Sequence, residues 1–102
     1  MAIDFQRKRF GFPSHTGSAQ TKDQTYVFPT NVHKAEAAIN GFSIGFTADD
    51  HHLFRQEVDA SITRIFLNTV QVRVTFALRD SSGTFDDPYD GFVDVMVIVD
   101  RA

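Results

Sequence analysis

Two runs of alternating apolar residues constrain the fold of this chain more than any other feature of its sequence. Apolar side chains take every second position of the first run, at Val70, Val72, Val74, Phe76 and Leu78. The same spacing recurs in the second run, at Val93, Val95, Val97 and Val99, with Met96 and Ile98 between them. Period-two alternation of β-branched and aromatic residues is typical of a half-buried strand, and a run that is apolar on both sides predicts a more deeply buried one. We therefore expect two long antiparallel strands.

The connection between these two runs, residues 79–91, has the composition of a turn and is rich in acidic residues. It contains Gly83 and Pro88, which favour turns. The connection also holds four aspartates and two aromatic residues, namely Asp80, Asp86, Asp87, Asp90, Phe85 and Tyr89. Carboxylates accept hydrogen bonds from hydroxyl groups, and aromatic rings offer an apolar surface. If the chain has a ligand site, the sequence predicts that this connection belongs to it; the alternative is a solvated turn.

Residues 32–46 allow two interpretations. The alternation of Phe42, Ile44 and Phe46 with small residues favours a strand, and the preceding positions also alternate. We favour one long strand that is bent or bulged at Asn40-Gly41. The alternative is one or two helical turns before a strand from Gly41, because the lysine, glutamate and alanines near residue 36 favour helix.

The remaining segments predict further short strands and turns. Residues 1–23 lack a sustained pattern and predict an irregular N-terminal segment, and residues 24–28 predict a short strand. Residues 54–63 alternate again, and 64–68 predict the hairpin connection to the strand that begins at Thr69. That connection contains three apolar residues, which we expect to be packed or to lie against a partner. Five or six strands and no convincing helix indicate an all-β fold, a small antiparallel β-sandwich of about six strands in a single domain, 1–102.

Composition limits the partners that we expect. The 102-residue chain has a net charge of −3, so no basic excess favours a nucleic-acid partner. It has no cysteine, which rules out disulfides and thiolate zinc sites. We see no signal peptide, and no run approaches the roughly 18 apolar residues of a membrane helix, so we expect no membrane insertion. These observations leave the cellular location open.

Three motifs raise the question of catalysis or metal binding. Residues 41–45 match the G-x-S-x-G pattern, but that nucleophile motif needs a helix after the serine, and none is expected here. His51 and His52 are adjacent and would point to opposite faces of a strand, which disfavours one shared metal ion. The aspartates of residues 80–90 suit calcium as hard ligands, but their spacing does not fit an EF-hand loop. We therefore expect no enzyme activity, no metal and no cofactor.

A loose order of motifs from Phe28 to Asp100 resembles the H-type lectin family. The order begins with Phe28-Pro29 and an apolar run through Ile39-Gly41-Phe42, and continues with a turn that bears Asp50 and Arg55. A V-x-V-x-V strand, a polar loop with Tyr89 and a second V-x-V-x-V strand complete it. The resemblance implies a six-stranded antiparallel sandwich that assembles as trimers or pairs of trimers and binds N-acetylgalactosamine or related sugars between subunits. It implicates Asp50, Arg55, Asp80 and Tyr89 in that site. The family's tryptophan in the second loop and its frequent disulfide are absent here.

We therefore interpret the sequence as a non-catalytic, carbohydrate-binding module that acts as a homo-oligomer, a trimer or hexamer. Its partner is expected to be a glycan, and oligomerisation would multiply weak single-site affinity. The expected ligand-binding residues come from the two turns: Asp50, His51, His52, Arg55, Asp80, Asp86, Asp87, Tyr89 and Asp90. The alternative is a structural or assembly module of a larger particle with no small-molecule ligand, in which a Phe-rich N-terminal segment (Phe5, Phe10, Phe12) docks on a partner.

Overall fold

The structure, a computed structural model, describes residues 2–46, 53–80 and 88–102, and the side chains of these residues except 53–55 and 79–80. Within these ranges the chain forms six strands and no helix. The strands are β1 (Ala2–His15), β2 (Gln20–Val27), β3 (Val32–Phe46), β4 (Leu53–Phe66), β5 (Thr69–Asp80) and β6 (Tyr89–Arg101). The expected all-β fold is confirmed.

The six strands form two three-stranded antiparallel sheets that pack face to face. Sheet A has the order β1-β6-β3, and sheet B has the order β2-β5-β4. The two runs with the clearest alternation are the central strands, β6 and β5. A central strand is paired along both edges, so its inward side chains lie deepest in the sandwich.

The two long strands that the sequence predicted, β5 and β6, lie in different sheets. β5 pairs with β2 and β4, whereas β6 pairs with β1 and β3. The connection after β5 therefore passes from one sheet to the other. Two strands with strong apolar faces bury more surface by facing each other across the sandwich than by lying side by side.

The core lies between these central strands. Its fully buried valines and aromatic residues come from both sheets, and include Phe10, Tyr26, Phe28, Val70, Val72, Val74, Phe76, Tyr89, Val93, Val95, Val97 and Val99. Among the apolar residues of the edge strand β3, Phe42 is 48% exposed, whereas Ile44 and Phe46 pack against the core. β6 is buried on one face only, since Ile98 on its other face is exposed.

The N-terminal segment is regular, which corrects the irregular segment predicted for residues 1–23. β1 runs from Ala2 to His15, and β2 begins at Gln20. Charged residues obscured the strand pattern of β1. The ammonium nitrogen of Lys8 lies 5.7 Å from the centre of the Tyr26 ring, so this lysine spans the edge of the sandwich with its charge near the surface.

The interpretation of residues 32–46 as one bulged strand is confirmed. β3 spans this whole range, and its register with β6 shifts between Ile39 and Gly41. Ser43 of the G-x-S-x-G match is an exposed strand residue opposite Phe92, not part of a strand-to-helix turn.

The sandwich is elongated, 50 × 19 × 18 Å, and its two ends differ. We call the end where β1, β3 and β5 finish the loop end. The opposite end, where Leu67 and Asn68 form the turn from β4 to β5, is the hairpin end. Backbone hydrogen bonds tie this turn to the β2–β3 connection, from Phe28 N to Asn68 O and from Val32 N to Leu67 O, both 2.8 Å.

Candidate functional site

The strand residues that flank the two predicted ligand-binding turns lie at the loop end. Phe46, the last residue of β3, is opposite Tyr89, the first residue of β6. Leu53, the first residue of β4, is opposite Asp80, the last residue of β5. The two sheets meet here, since the Tyr89 hydroxyl oxygen lies 3.2 Å from the Phe76 carbonyl oxygen. The starting and finishing points of both turns are therefore neighbours.

Most of the predicted ligand residues belong to the turns themselves. Asp50, His51, His52, Asp86 and Asp87 lie outside the described residues. Arg55 and Asp80 are described by their backbone, as strand residues next to the turns. Asp90 is exposed and is opposite Gly45 of β3.

The position of the Tyr89 side chain does not fit the expectation that this residue contacts a ligand. Its side chain is fully buried, and its hydroxyl donates to the Ser18 carbonyl oxygen at 2.6 Å. Burial raises the pKa of this phenol above its ordinary value. The Phe76 ring lies 5.8 Å away between ring centres, and the His15 ring meets Tyr89 edge-on at 6.4 Å. Tyr89 therefore anchors the base of the acidic connection inside the core and offers no ring face to a sugar.

Gly91 brings β6 close to β3 directly after this anchor. Its φ of 151° favours glycine. A β-carbon at this position would overlap the Ser43 carbonyl group and would lie 2.9 Å from Cζ of Phe76. The close approach keeps Asp90 in register with β3, so the start of β6 is fixed from both sides.

The outer face of sheet A has an exposed apolar strip that the sequence did not predict. Ile3 is 72% exposed and Phe5 is 65% exposed. Phe5 lies opposite Ile98, which is also exposed. We expected Phe5, Phe10 and Phe12 to act together, but Phe10 and Phe12 are in the core. The strand phase of β1 separates these rings, because odd-numbered residues face outward and even-numbered residues face inward.

Beyond the apolar strip, the outer face of sheet A carries an ion pair between Arg9 and Asp94. Arg9 donates two hydrogen bonds to Asp94, from Nε at 2.8 Å and from Nη2 at 3.1 Å. This pairing lowers the pKa of the Asp94 carboxyl below its ordinary value. The Arg9 guanidinium carbon also lies 3.8 Å from the centre of the Phe92 ring. The charge is thus satisfied locally, and the apolar strip remains the exposed feature of this face.

Two kinds of feature are absent from the described parts of the chain. Residues 2–46, 53–80 and 88–102 include no helix with the length and apolar character needed to span a membrane. In the same residues no three His, Asp or Glu side chains converge as metal ligands do.

Comparisons with known proteins do not extend these observations. No protein-family model matches the chain, and neither the curated proteins nor the solved structures yield a match. Function is therefore argued from the fold and from the site.

Proposed function

We propose that this protein is a non-catalytic, carbohydrate-binding module that resembles H-type lectins and acts as a homo-oligomer. The observation that supports the proposal is the common position of the strand residues that flank the two acidic segments. Their flanking residues, Phe46 opposite Tyr89 and Leu53 opposite Asp80, lie at one end of the sandwich. A fold whose rigid strands begin and end two polar segments at the same end suits a ligand that contacts both segments.

The residue types in the two turns suit a sugar. In this proposal Asp80, Asp86, Asp87 and Asp90 accept hydrogen bonds from ring hydroxyls, as Asp50 does from the first turn. His51, His52 and Arg55 donate hydrogen bonds or supply a ring edge. Tyr89 supports this site from below by holding the base of the second turn. By its resemblance, the ligand is an N-acetylgalactosamine-type sugar.

The proposed oligomer is a trimer or hexamer that uses the apolar strip of sheet A. Ile3, Phe5 and Ile98 expose apolar surface on one face, and such surface favours association. Glu36 is opposite Ile98, and Lys34 is opposite Asp100, so both signs of charge border the strip. Copies of this face related by the symmetry of a trimer can place the strip and its bordering charges against one another, so a homo-oligomer satisfies the mixture without a different partner.

A glycan array with matched variants tests the proposed sugar site. Asp80→Ala and Arg55→Ala should weaken binding by about five- to a hundred-fold, because each removes a charged hydrogen-bonding group. Asp59→Ala is the control, since Asp59 is an exposed aspartate on β4 away from the loop end. A chelator should leave binding unchanged, and loss of binding in chelator would assign the aspartates to calcium instead. Failure of the wild-type protein to bind any glycan would refute the proposal.

The second candidate is an assembly module with no small-molecule ligand. The exposed Ile3 and Phe5 favour it, because a docking face needs apolar surface but no polar pocket. Ile3→Ser combined with Phe5→Ser should dissociate the oligomer in light scattering under either candidate. The candidates differ in the glycan array, where only a carbohydrate-binding module gives a signal.

A further inference from the structure

The outer face of sheet B has a shallow hollow of about 260 Å³ near the hairpin end. Five side chains line it: Thr25, Arg64, Phe66, Thr69 and Gln71. Gln71 on the central strand is opposite Thr25 on one side and Arg64 on the other, and Thr69 is opposite Phe66. Two adjacent rows of paired residues across the sheet therefore surround the hollow. The hollow spans about 10 Å across three strands. This width suits one sugar ring.

A β-bulge creates this arrangement. Ile62 is opposite Val72 and Arg64 is opposite Gln71, so β4 has an extra residue, Thr63, between them. The extra residue changes which side of the sheet the following side chains face. Arg64 and Phe66 therefore face outward with Gln71. Without the bulge, the alternation that turns Ile62 inward would turn Arg64 inward as well. Bulges commonly redirect side chains toward a site.

Two arginines on this face differ in their partners. Arg73 donates two hydrogen bonds to Asp23, from Nε at 2.9 Å and from Nη2 at 3.2 Å. Arg64 lies against an aromatic ring instead, with its guanidinium carbon 4.7 Å from the centre of the Phe66 ring. Among the described side chains, no carboxylate forms an ion pair with Arg64. The hollow therefore has a cation whose hydrogen-bond donors are available to an anion.

The other lining groups suit the hydroxyls and the ring of a sugar. The Gln71 amide both donates and accepts hydrogen bonds, and so does the Thr25 hydroxyl. Thr69 donates its hydroxyl to the Phe66 carbonyl oxygen at 2.7 Å, which leaves its oxygen as an acceptor. Phe66 is 52% exposed and offers apolar surface to the C–H groups of a ring. A guanidinium fork matches a carboxylate in a bidentate geometry.

We propose that this hollow binds a carboxylate-bearing sugar residue of a glycan, with Arg64 on the carboxylate and Phe66 against the ring. The proposal rests on the proposed function for the class of ligand, but it concerns a separate site. Thr69 and Asp80 begin and end the twelve-residue β5, and so are about 36 Å apart. A glycan with an acidic residue would contact a second position on the protein and be selected over neutral glycans.

The test compares D-glucuronate with D-glucose, which differ in having a carboxylate or a CH2OH group at C6. Each sugar is titrated into the 15N-labelled full-length protein, and chemical shifts of the Gln71 side-chain amide and the Arg64 Nε–H are followed. Glucuronate should shift both signals in a saturable way, and glucose should not. Arg64→Gln should weaken the glucuronate response by about tenfold, because a charge-assisted bidentate pair is lost. Arg73→Gln removes the same charge from the same face and should leave the response unchanged.

Several outcomes would overturn the proposal. One is the absence of a glucuronate response, and another is an equal response in Arg64→Gln. Equal responses to glucose and glucuronate would show that the carboxylate is not recognised. If acetate binds as tightly as glucuronate, the hollow recognises only the carboxylate and not the sugar ring. These results do not depend on the sugar site proposed at the loop end, because Asp80→Ala should leave the glucuronate response intact. Failure of the proposal for the hollow can therefore be distinguished from failure of the proposal for the loop end.

Discussion

The two ends of the sandwich are closed in different ways. At the loop end, aromatic rings fill the space between the sheets: Phe12 and Phe76 stack with ring centres 4.5 Å apart, and Tyr89 is fully buried beside them. At the hairpin end, Phe28 closes the core, while Phe66 and Leu67 beyond it face solvent. The chain there is held by hydrogen bonds between the Leu67–Asn68 turn and the β2–β3 connection.

Because of this difference, the rigid packing lies at the loop end and the exposed apolar surface lies at the hairpin end. Tight ring packing at the loop end holds the strand residues that flank the two acidic segments. Hydrogen bonding at the hairpin end stabilises the turn without covering its apolar side chains. The hairpin end therefore keeps Phe66 available on the outer face, where it lines the hollow with Arg64.

Substitution of one phenylalanine at each end should give the largest contrast. Phe76→Ala removes a buried ring and should lower the free energy of unfolding by about 3–5 kcal/mol. Phe66→Ala truncates a ring that is half exposed, and should cost less than about 1 kcal/mol. Urea denaturation followed by circular dichroism measures both. Similar losses for the two variants would contradict the difference between the ends.

A methyl group at Gly91 tests how closely the strands approach at the loop end. Gly91→Ala should destabilise the protein by about 3 kcal/mol, because its β-carbon would overlap the Ser43 carbonyl group. Gly11→Ala on the neighbouring strand β1 is the matched control, since a β-carbon there has no atom within 4 Å. If both variants have the wild-type unfolding midpoint, the close approach of β6 to β3 is wrong.

Alkaline pH should weaken the buried tyrosine contacts. Burial raises the pKa of Tyr26 to about 12 from the ordinary value of 10.0, and its hydroxyl donates to the Val95 carbonyl oxygen at 2.7 Å. The unfolded state loses this proton at lower pH than the folded state does, so stability is intact below pH 10 and declines as the pH rises toward 12. The raised pKa of Tyr89 acts in the same direction.

Urea midpoints at pH 8, 10 and 11 measure this effect. Tyr26→Phe should cost about 1 kcal/mol at pH 8 through the lost hydrogen bond, and should decline less than the wild type above pH 10. An equal alkaline decline in Tyr26→Phe and in the wild type would exclude Tyr26 as a source.

The smallest expected effect is at the hairpin turn. Leu67 has a φ of 54°, a left-handed conformation that asparagine tolerates better than leucine does. Leu67→Asn should therefore raise the free energy of unfolding by roughly 0.5 kcal/mol. Leu67→Ala removes the same exposed surface, but alanine does not tolerate the left-handed conformation as asparagine does. This variant should therefore not raise the free energy of unfolding. A gain in the alanine variant that equals the asparagine gain would refute the conformational explanation.

The fold was predictable where alternation was strong, and the pairing was not. Val70 to Leu78 and Val93 to Val99 identified the two central strands, because their inward positions are apolar. Alternation shows which side of a strand is buried but not which strand lies beside it, so the placement of β5 and β6 in different sheets was not predictable from it. Lys8 hid the alternation of β1, because a charged side chain at a sheet edge reaches solvent even from an inward position.

The candidate site was predictable only in part. The aspartates and turn residues marked the loop end, and the positions of Phe46, Leu53, Asp80 and Tyr89 fit that prediction. Tyr89 was assigned to the ligand by the resemblance and as a ring that could stack on a sugar, but its ring lies in the core. The hollow on sheet B depends on a bulge at Thr63 and on pairing across three strands, which no local pattern encodes. The apolar residues near the hairpin turn were the available signal.

The convergence of the two turns on one sugar is tested most directly by titration of the 15N-labelled protein with N-acetylgalactosamine. We predict that the backbone amide signals of residues 53–55, 79–80 and 89–90 shift together with one dissociation constant. These residues flank both turns, so a shared constant means a shared ligand. Residues 66–69 at the hairpin end should not move. Shifts confined to one turn, shifts at the hairpin end alone, or no shifts at saturating sugar would contradict the account.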